Sequence, residues 1–230
     1  MTIEQLIAAV NIARLTADAT ASSDEQPLPN EVIDWHGYGT RPMTIFLNTL
    51  CKQFRTGCRY VEFGSFAGRS LLAAAYHNRG TYIGVDNHSW LGQGAKRFAS
   101  RADLLAKLSE AVKLASLPGE NIVSVRTMDT AAVGRTTFMS EQHTCDVFMY
   151  DGDHAAGPTR DGIVVMAKTL RPGILIMDDY ASSKWKEVPA GTVAGLEKSG
   201  LVVHEHWRLP YHTGVGVWVV DQPIEPSSNG

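Results

Sequence analysis

Two stretches end apolar runs in clustered acids. DVFMYDGDHAAG, residues 146–157, closes a short apolar run with Asp151, Asp153 and His154; ILIMDDY, residues 174–180, closes another with Asp178 and Asp179. If the two runs are neighbouring strands, four carboxylates share one small region, where like charges repel strongly at low effective dielectric. Some are protonated, or cationic groups sit among them, or they bind a metal. Neither motif contains Lys or Arg, so a hard, oxygen-liganded cation such as Mg²⁺ is the economical answer. The competing reading is local capping, with Asp153 serving the helix after 157 and Asp179 a turn at 181–183.

The elements that would position these acids read as alternating strands and helices. CRYVEFG (58–64), TYIGVD (81–86), NIVSVRT (121–127), CDVFMYD (145–151) and the run through ILIMDD have strand character; residues 69–79, 95–116, 157–170 and VAGLEKSG (193–200) read as helices. Such alternation predicts an α/β fold, a Rossmann-like parallel sheet with helices on both faces. LVVHEHWRL and GVGVWVV are joined by a short link, so they make an antiparallel C-terminal pair in a seven-stranded sheet. Ahead of them, residues 3–18 and about 40–55 have helical spacing, separated by a polar, proline-bearing loop.

The first strand runs into VEFGSFAGRS, where Gly64 and Gly68 stand four apart and Glu62 two before the first. Glycines permit a sharp turn and close approach of backbone to a ligand, and the following helix offers unpaired N–H groups. Ligands of open parallel sheets bind at the carboxyl ends of strands near the topological switch point. ExGxxxG is not the GxGxxG of dinucleotide folds; an acid in the turn suits a cationic amine better than a pyrophosphate. The next strand ends at Asp86, whose carboxylate can accept hydrogen bonds from ribose hydroxyls. The third ends near Met128, Asp129 and Thr130, where an adenine pocket could be lined.

Over roughly residues 58–220 the chain resembles the class I S-adenosylmethionine-dependent methyltransferases, with VEFGSFAG as their first motif and YIGVD as their second. The resemblance implies that Gly64, Ser65 and Gly68 lie against the methionine portion of the cofactor, that Glu62 helps hold its amino group through water or backbone, that Asp86 binds the ribose and Asp129 the adenine amino group, and that Asp151 borders the same cofactor. DGDHAAGPTRD followed by RPGILIMDDY further resembles a metal-dependent O-methyltransferase group that includes macrocin-type sugar O-methyltransferases and cephalosporin-hydroxylase-like proteins. That likeness implies Asp151, Asp178 and Asp179 as ligands of Mg²⁺ or another hard divalent cation, and Asp153 as the base. His154 departs from the macrocin-type pattern and is an alternative base, because its ordinary pKa lies near neutrality. The expected reaction is methylation of a hydroxyl on a small molecule, such as a sugar, a phenol or a secondary metabolite. The rivals are a metal-independent methyltransferase acting on nitrogen or another acceptor, a non-catalytic nucleotide-binding module, and a nicotinamide-dependent oxidoreductase.

Composition bounds the partners. A net charge of −3 argues against a general nucleic-acid binder, and no apolar run approaches the ~20 residues needed to span a bilayer. Three cysteines without a CxxC pair fit a reducing compartment, and the expectation is a cytoplasmic protein. The expected organisation is an N-terminal helical segment and lid over 1–57, a cofactor-binding domain over 58–221, and a disordered tail over 222–230. The N-terminal helix could pack against a second subunit in a homo-oligomer. WHGYGTRP (35–42) reads equally as a lid or a packing loop, Trp90 equally as a flank of the adenine or part of a surface loop, and Lys184, Trp185 and Lys186 as part of the acceptor pocket or a solvated loop. His204, His206 and His212 read as solvent-facing, with a transition-metal site as the alternative.

Overall fold

The structure is a computed structural model that describes residues 1–21, 23, 27–37, 39–88, 98–129, 144–170 and 172–223. Trp90, Thr130, the start of the expected helix at 95 and the tail from 224 lie outside the described residues. Three helices open the chain: α1 (Ile3–Thr20), α2 (Asn30–Ile33) and α3 (Arg41–Lys52). Alternation follows: β1 (Cys58–Phe63), α4 (Arg69–Ala75), β2 (Gly80–Asp86), α5 (Arg101–Ala115), β3 (Asn121–Thr127), β4 (Val147–Tyr150), α6 (Ala156–Ala167), β5 (Gly173–Met177) and α7 (Glu187–Ser199). The hairpin β6 (Val202–Leu209) and β7 (Val215–Asp221) closes the fold.

One seven-stranded sheet has the order β3-β2-β1-β4-β5-β7-β6. Pairs among β1 to β5 are parallel, and β7 runs antiparallel to both β5 and β6. The mostly parallel sheet with its antiparallel C-terminal pair is the α/β architecture expected from the sequence. The central strands are apolar on both sides because helices cover both. Tyr60, Met149, Ile174 and Ile176 pack with Leu6, Phe46, Leu50 and Leu72 from α1, α3 and α4. Phe63, Phe148, Tyr150 and Leu175 pack with Ile163, Met166 and Val188 from α6 and α7. Each such buried side chain contributes roughly 1.5–3 kcal/mol.

The N-terminal loop begins later than the polar composition suggests. TADAT continues α1 to Thr20, since Ala13 and Ala17 are buried against the core. The hydroxyls of Thr16 and Thr20 donate back to the carbonyls of Ile12 and Thr16, which keeps their polar groups satisfied inside a helix. Likewise α4 stops at Ala75 and not at 79: His77 takes φ 54° and Gly80 φ 133° as the chain turns into β2. Among the described residues no helix is long and apolar enough to cross a membrane.

Register sets the site. Phe63 pairs with Val85 on one side and Tyr150 on the other, and Tyr150 pairs with Met177. The next residue of each strand is therefore Gly64, Asp86, Asp151 and Asp178, aligned along one edge of the sheet. Gly64 N–H donates to Val85 O at 2.8 Å, Asp151 N–H to Phe63 O at 2.8 Å and Asp178 N–H to Tyr150 O at 3.0 Å, so the ladder extends through all of them. The chain reverses direction across the sheet between β1 and β4, which is where ligands of such folds bind.

Candidate active site

The glycine turn after β1 is built to bring backbones together. Gly64 has φ 93°, and a Cβ there would meet the Asp151 carbonyl oxygen at 1.9 Å. Only glycine fits both the left-handed backbone and that contact. The first strand's turn and the first acid motif thus touch. Gly68, φ 80°, precedes the first turn of α4. Ser65 is buried and its Oγ has no hydrogen-bond partner among the described residues, which leaves a polar group for a ligand. Asp86 organises the facing loops: Oδ2 accepts from Phe66 N–H at 2.8 Å and Oδ1 from His88 N–H at 2.6 Å. A carboxylate has about four acceptor sites, so capacity remains for hydroxyl donors. Buried His88, which sequence reasoning passed over, sets Nδ1 3.5 Å from Asp86 Oδ1; its burial depresses its pKa. Asp129 lies two residues beyond the end of β3, exposed at the same edge.

Glu62 occupies a different place from the turn it precedes. It points to the face covered by the N-terminal helices and is fully buried, with Tyr60 O–H donating to its Oε2 at 2.6 Å. Burial lifts its pKa to about 7, the Tyr60 and Ser70 hydroxyls pull it down, and the charges of Asp86 and Asp178 add to the rise.

The acids do converge, but not all four. Oxygens of Asp151 and Asp179 and a ring nitrogen of His154 lie within 4.8 Å of one another. His154 Nε2 is 2.8 Å from Asp179 Oδ2 and 3.7 Å from Asp151 Oδ1. The Trp185 ring stacks on the imidazole at 4.4 Å and 13°, and Lys184 Nζ sits 4.3 Å over that indole. Asp178 is buried beside them, with Oδ2 3.3 Å from His212 Nδ1. Asp153 stands apart: it is exposed, and its carboxylate accepts from Ala155 N–H at 3.0 Å, the local capping contact available to an aspartate ahead of a helix.

Charge is finely divided here. Burial and the neighbouring Asp178 push the Asp151 carboxyl up to about 8, against the pull of His154. Burial disfavours the His154 imidazolium, but Asp151 and Asp179 outweigh it and lift its pKa to about 9. Burial would raise Asp179, and His154, Thr213 and His212 overcome it and hold the carboxyl below its usual range. The hydrogen bond to Asp178 raises His212 despite burial. A carboxylate–imidazolium pair thus sits beside a carboxyl that keeps its proton near neutrality.

His212, expected to face solvent, is instead half-buried against Asp178, and Thr213 is a residue the sequence reading missed. The signal was topological: β6 runs parallel to β5, so the link to β7 must open on the edge that carries Asp178 and Asp179. The WHGYGTRP segment, in its described part, packs on the glycine turn. Trp35 Nε1–H donates to Ala67 O at 2.9 Å, and Arg69 Nη1 to Trp35 O at 3.1 Å. His204 and His206 are exposed on the edge strand β6, as expected.

A family model described as a methyltransferase domain matches residues 61–180, just over half of the chain, from the end of β1 through Asp178 and Asp179. The chain belongs to this methyltransferase family. It is a class I S-adenosylmethionine-dependent methyltransferase. Solved structures share the fold at low identity. CalS11, a TDP-rhamnose 3′-O-methyltransferase of calicheamicin biosynthesis, is 17% identical with a TM-score of 0.53, over 91% of this chain and 93% of that one. An O-methyltransferase from Bacillus cereus in complex with S-adenosylhomocysteine is 14% identical with a TM-score of 0.50, over 92% and 90%. A Corynebacterium glutamicum protein is 16% identical with a TM-score of 0.50, over 95% and 92%. No curated protein sequence matches the chain.

Proposed function

We propose that this methyltransferase methylates a hydroxyl oxygen of a small molecule, with a hard divalent cation, Mg²⁺ in the first instance, held by Asp151, Asp178 and Asp179. The observation that carries this reading is the convergence of Asp151, Asp179 and His154 against the glycine turn, through the Gly64–Asp151 contact. The residues suit a cation: Asp151, Asp178 and Asp179 bring three acids to one edge of the sheet, and among the described residues the buried Asp178 Oδ1 has no hydrogen-bond partner. They suit the cofactor too, with Gly64, Ser65 and Gly68 lining the methionine end, Asp86 at the ribose, Asp129 at the adenine and Glu62 bracing the strand end from below. That the fold is shared with a sugar-nucleotide O-methyltransferase and a Bacillus O-methyltransferase makes hydroxyl acceptors the first to test.

Bound S-adenosylmethionine supplies an electrophilic sulfonium methyl. A divalent cation at the acids would lower the pKa of an acceptor hydroxyl and offset the carboxylate charge that now keeps His154 protonated. The work of this chain's own residues is positional. The glycine turn and Asp86 fix one reactant, the acid cluster the other, and the register of β1, β4 and β5 sets them side by side. His154, wedged between Trp185 and the acids, then takes the hydroxyl proton on Nε2. The acceptor oxygen forms its bond to the methyl carbon as the carbon–sulfur bond breaks, leaving S-adenosylhomocysteine. Asp153, spent on Ala155 N–H, is the weaker candidate base.

A metal-independent methyltransferase is the second reading, favoured by the fact that His154 already compensates Asp179 at 2.8 Å. Transfer of labelled methyl to a panel of sugars, phenols and other hydroxyl compounds, before and after EDTA, separates the two. Activity lost in EDTA and restored by Mg²⁺ supports the proposal; undiminished activity in EDTA supports its rival.

A further inference from the structure

Asp178 and Asp179 each have one oxygen held by a residue of the β6–β7 link. His212 Nδ1 lies 3.3 Å from Asp178 Oδ2, while the buried Asp178 Oδ1 has no hydrogen-bond partner among the described residues. Thr213 O–H donates to Asp179 Oδ1, while Asp179 Oδ2 faces His154 at 2.8 Å. Both tethers come from one five-residue link between β6 and β7, which itself has no carboxylate.

The link is held so that it can do this. Gly214, φ 97°, lies so close to the turn after Asp179 that a Cβ would meet the Ala181 Cβ at 2.4 Å, and Ala181 N–H donates to Gly214 O at 3.4 Å. Asp179 itself has φ 55° and His212 φ 51°, a backbone region unfavourable for a non-glycine residue that persists where surroundings over-determine it. From the other side the link is fastened to the N-terminal segment. Tyr211 O–H donates to Asp18 Oδ1 at 2.8 Å, and His212 N–H to Thr40 Oγ1 at 3.3 Å.

We infer that His212 and Thr213 are positioning residues for the metal aspartates: they hold Asp178 Oδ2 and Asp179 Oδ1 so that the opposite oxygens are presented to the cation. The inference rests on the divalent-cation reading above. Partners that orient metal-ligating carboxylates in this way typically contribute 10- to 100-fold in metal affinity. The fastening to Asp18 and Thr40 makes α1 and the start of α3 part of the same support.

The test uses the whole chain loaded with S-adenosylhomocysteine and titrated with Mn²⁺, free Mn²⁺ being read from its electron paramagnetic resonance signal. Thr213→Val removes the hydroxyl at nearly constant shape, Thr213→Ser retains it, and His212→Gln replaces the imidazole. Expected are a 10- to 100-fold weaker Mn²⁺ affinity in Thr213→Val and His212→Gln, wild-type affinity in Thr213→Ser, and unchanged S-adenosylhomocysteine affinity in all three. Wild-type protein that binds no Mn²⁺ would overturn the cation reading and this inference with it. Binding by wild type with equal affinity in Thr213→Val and His212→Gln would overturn the inference alone. So would a parallel loss of S-adenosylhomocysteine binding in those variants, which marks a general structural brace.

Discussion

Replacing Glu62 by Gln should remove a pH dependence from the stability of the fold. Glu62 is fully buried, and its carboxyl moves from the usual 4.5 to about 7, with desolvation the leading cause. The folded state therefore keeps a proton that the unfolded chain gives up. Below about pH 4.5 both states are protonated and the group has no effect. As pH rises toward 7 the unfolded state deprotonates first, and stability falls until the folded carboxyl titrates as well. The shift corresponds to a loss of about 3 kcal/mol across that window. Gln keeps an oxygen for the Tyr60 hydroxyl, which donates at 2.6 Å, and has no charge to bury. Urea unfolding of metal-free protein at intervals from pH 4 to 8 should show wild type and Glu62→Gln converging at the acid end. The variant should be more stable by about 3 kcal/mol near neutrality. A constant difference across the range would refute the reasoning, because it would place an ionised Glu62 in the folded core throughout.

Three further outcomes are expected. Gly64→Ala, whose Cβ would lie 1.9 Å from Asp151 O at φ 93°, should cost roughly 2 kcal/mol or more from backbone strain and the displaced strand end. Differential scanning calorimetry and S-adenosylhomocysteine titration read the stability and affinity losses. Asp86→Asn, which cannot accept with both side-chain atoms as the carboxylate does from Phe66 and His88 at 2.8 and 2.6 Å, should lower S-adenosylhomocysteine affinity about ten-fold or more, measured calorimetrically. His154→Ala should lower the methyl-transfer rate by ~10²–10⁴-fold, whereas Asp153→Ala should mainly cost about 1 kcal/mol of stability by freeing Ala155 N–H; comparison of kcat with the midpoint of urea unfolding distinguishes them.

The sheet was legible because its central strands are apolar on both faces and bounded by turn residues. ILIM and VFMY could hardly be anything but central strands, and the short link LPYHT dictated an antiparallel pair. The four acids were legible by type, and so was the pairing that brings Asp151 and Asp178 to one edge; the departure of Asp153 was not. Asp151 and Asp178 follow strand ends and inherit their register, so the backbone places them. Asp153 lies one Gly beyond Asp151, where the onset of α6 and the free Ala155 N–H decide its direction. Glu62 looked like a ligand of the turn, yet its position along β1 puts it on the opposite face from Phe63, in the core. The place of His212 and Thr213 beside the acids was invisible because no local pattern marks a residue brought in by a hairpin 34 positions away. The helix continuing through TADAT was hidden by threonines whose hydroxyls bond back into the helix, a compensation that composition does not reveal.

Calorimetric titration of Mg²⁺ into the S-adenosylhomocysteine-loaded protein, wild type beside Asp179→Asn, tests the central claim most directly. The account predicts saturable single-site binding by wild type that the variant loses while it still binds S-adenosylhomocysteine. Absence of binding in wild type, or equal binding in both, would contradict a divalent-cation site at these acids.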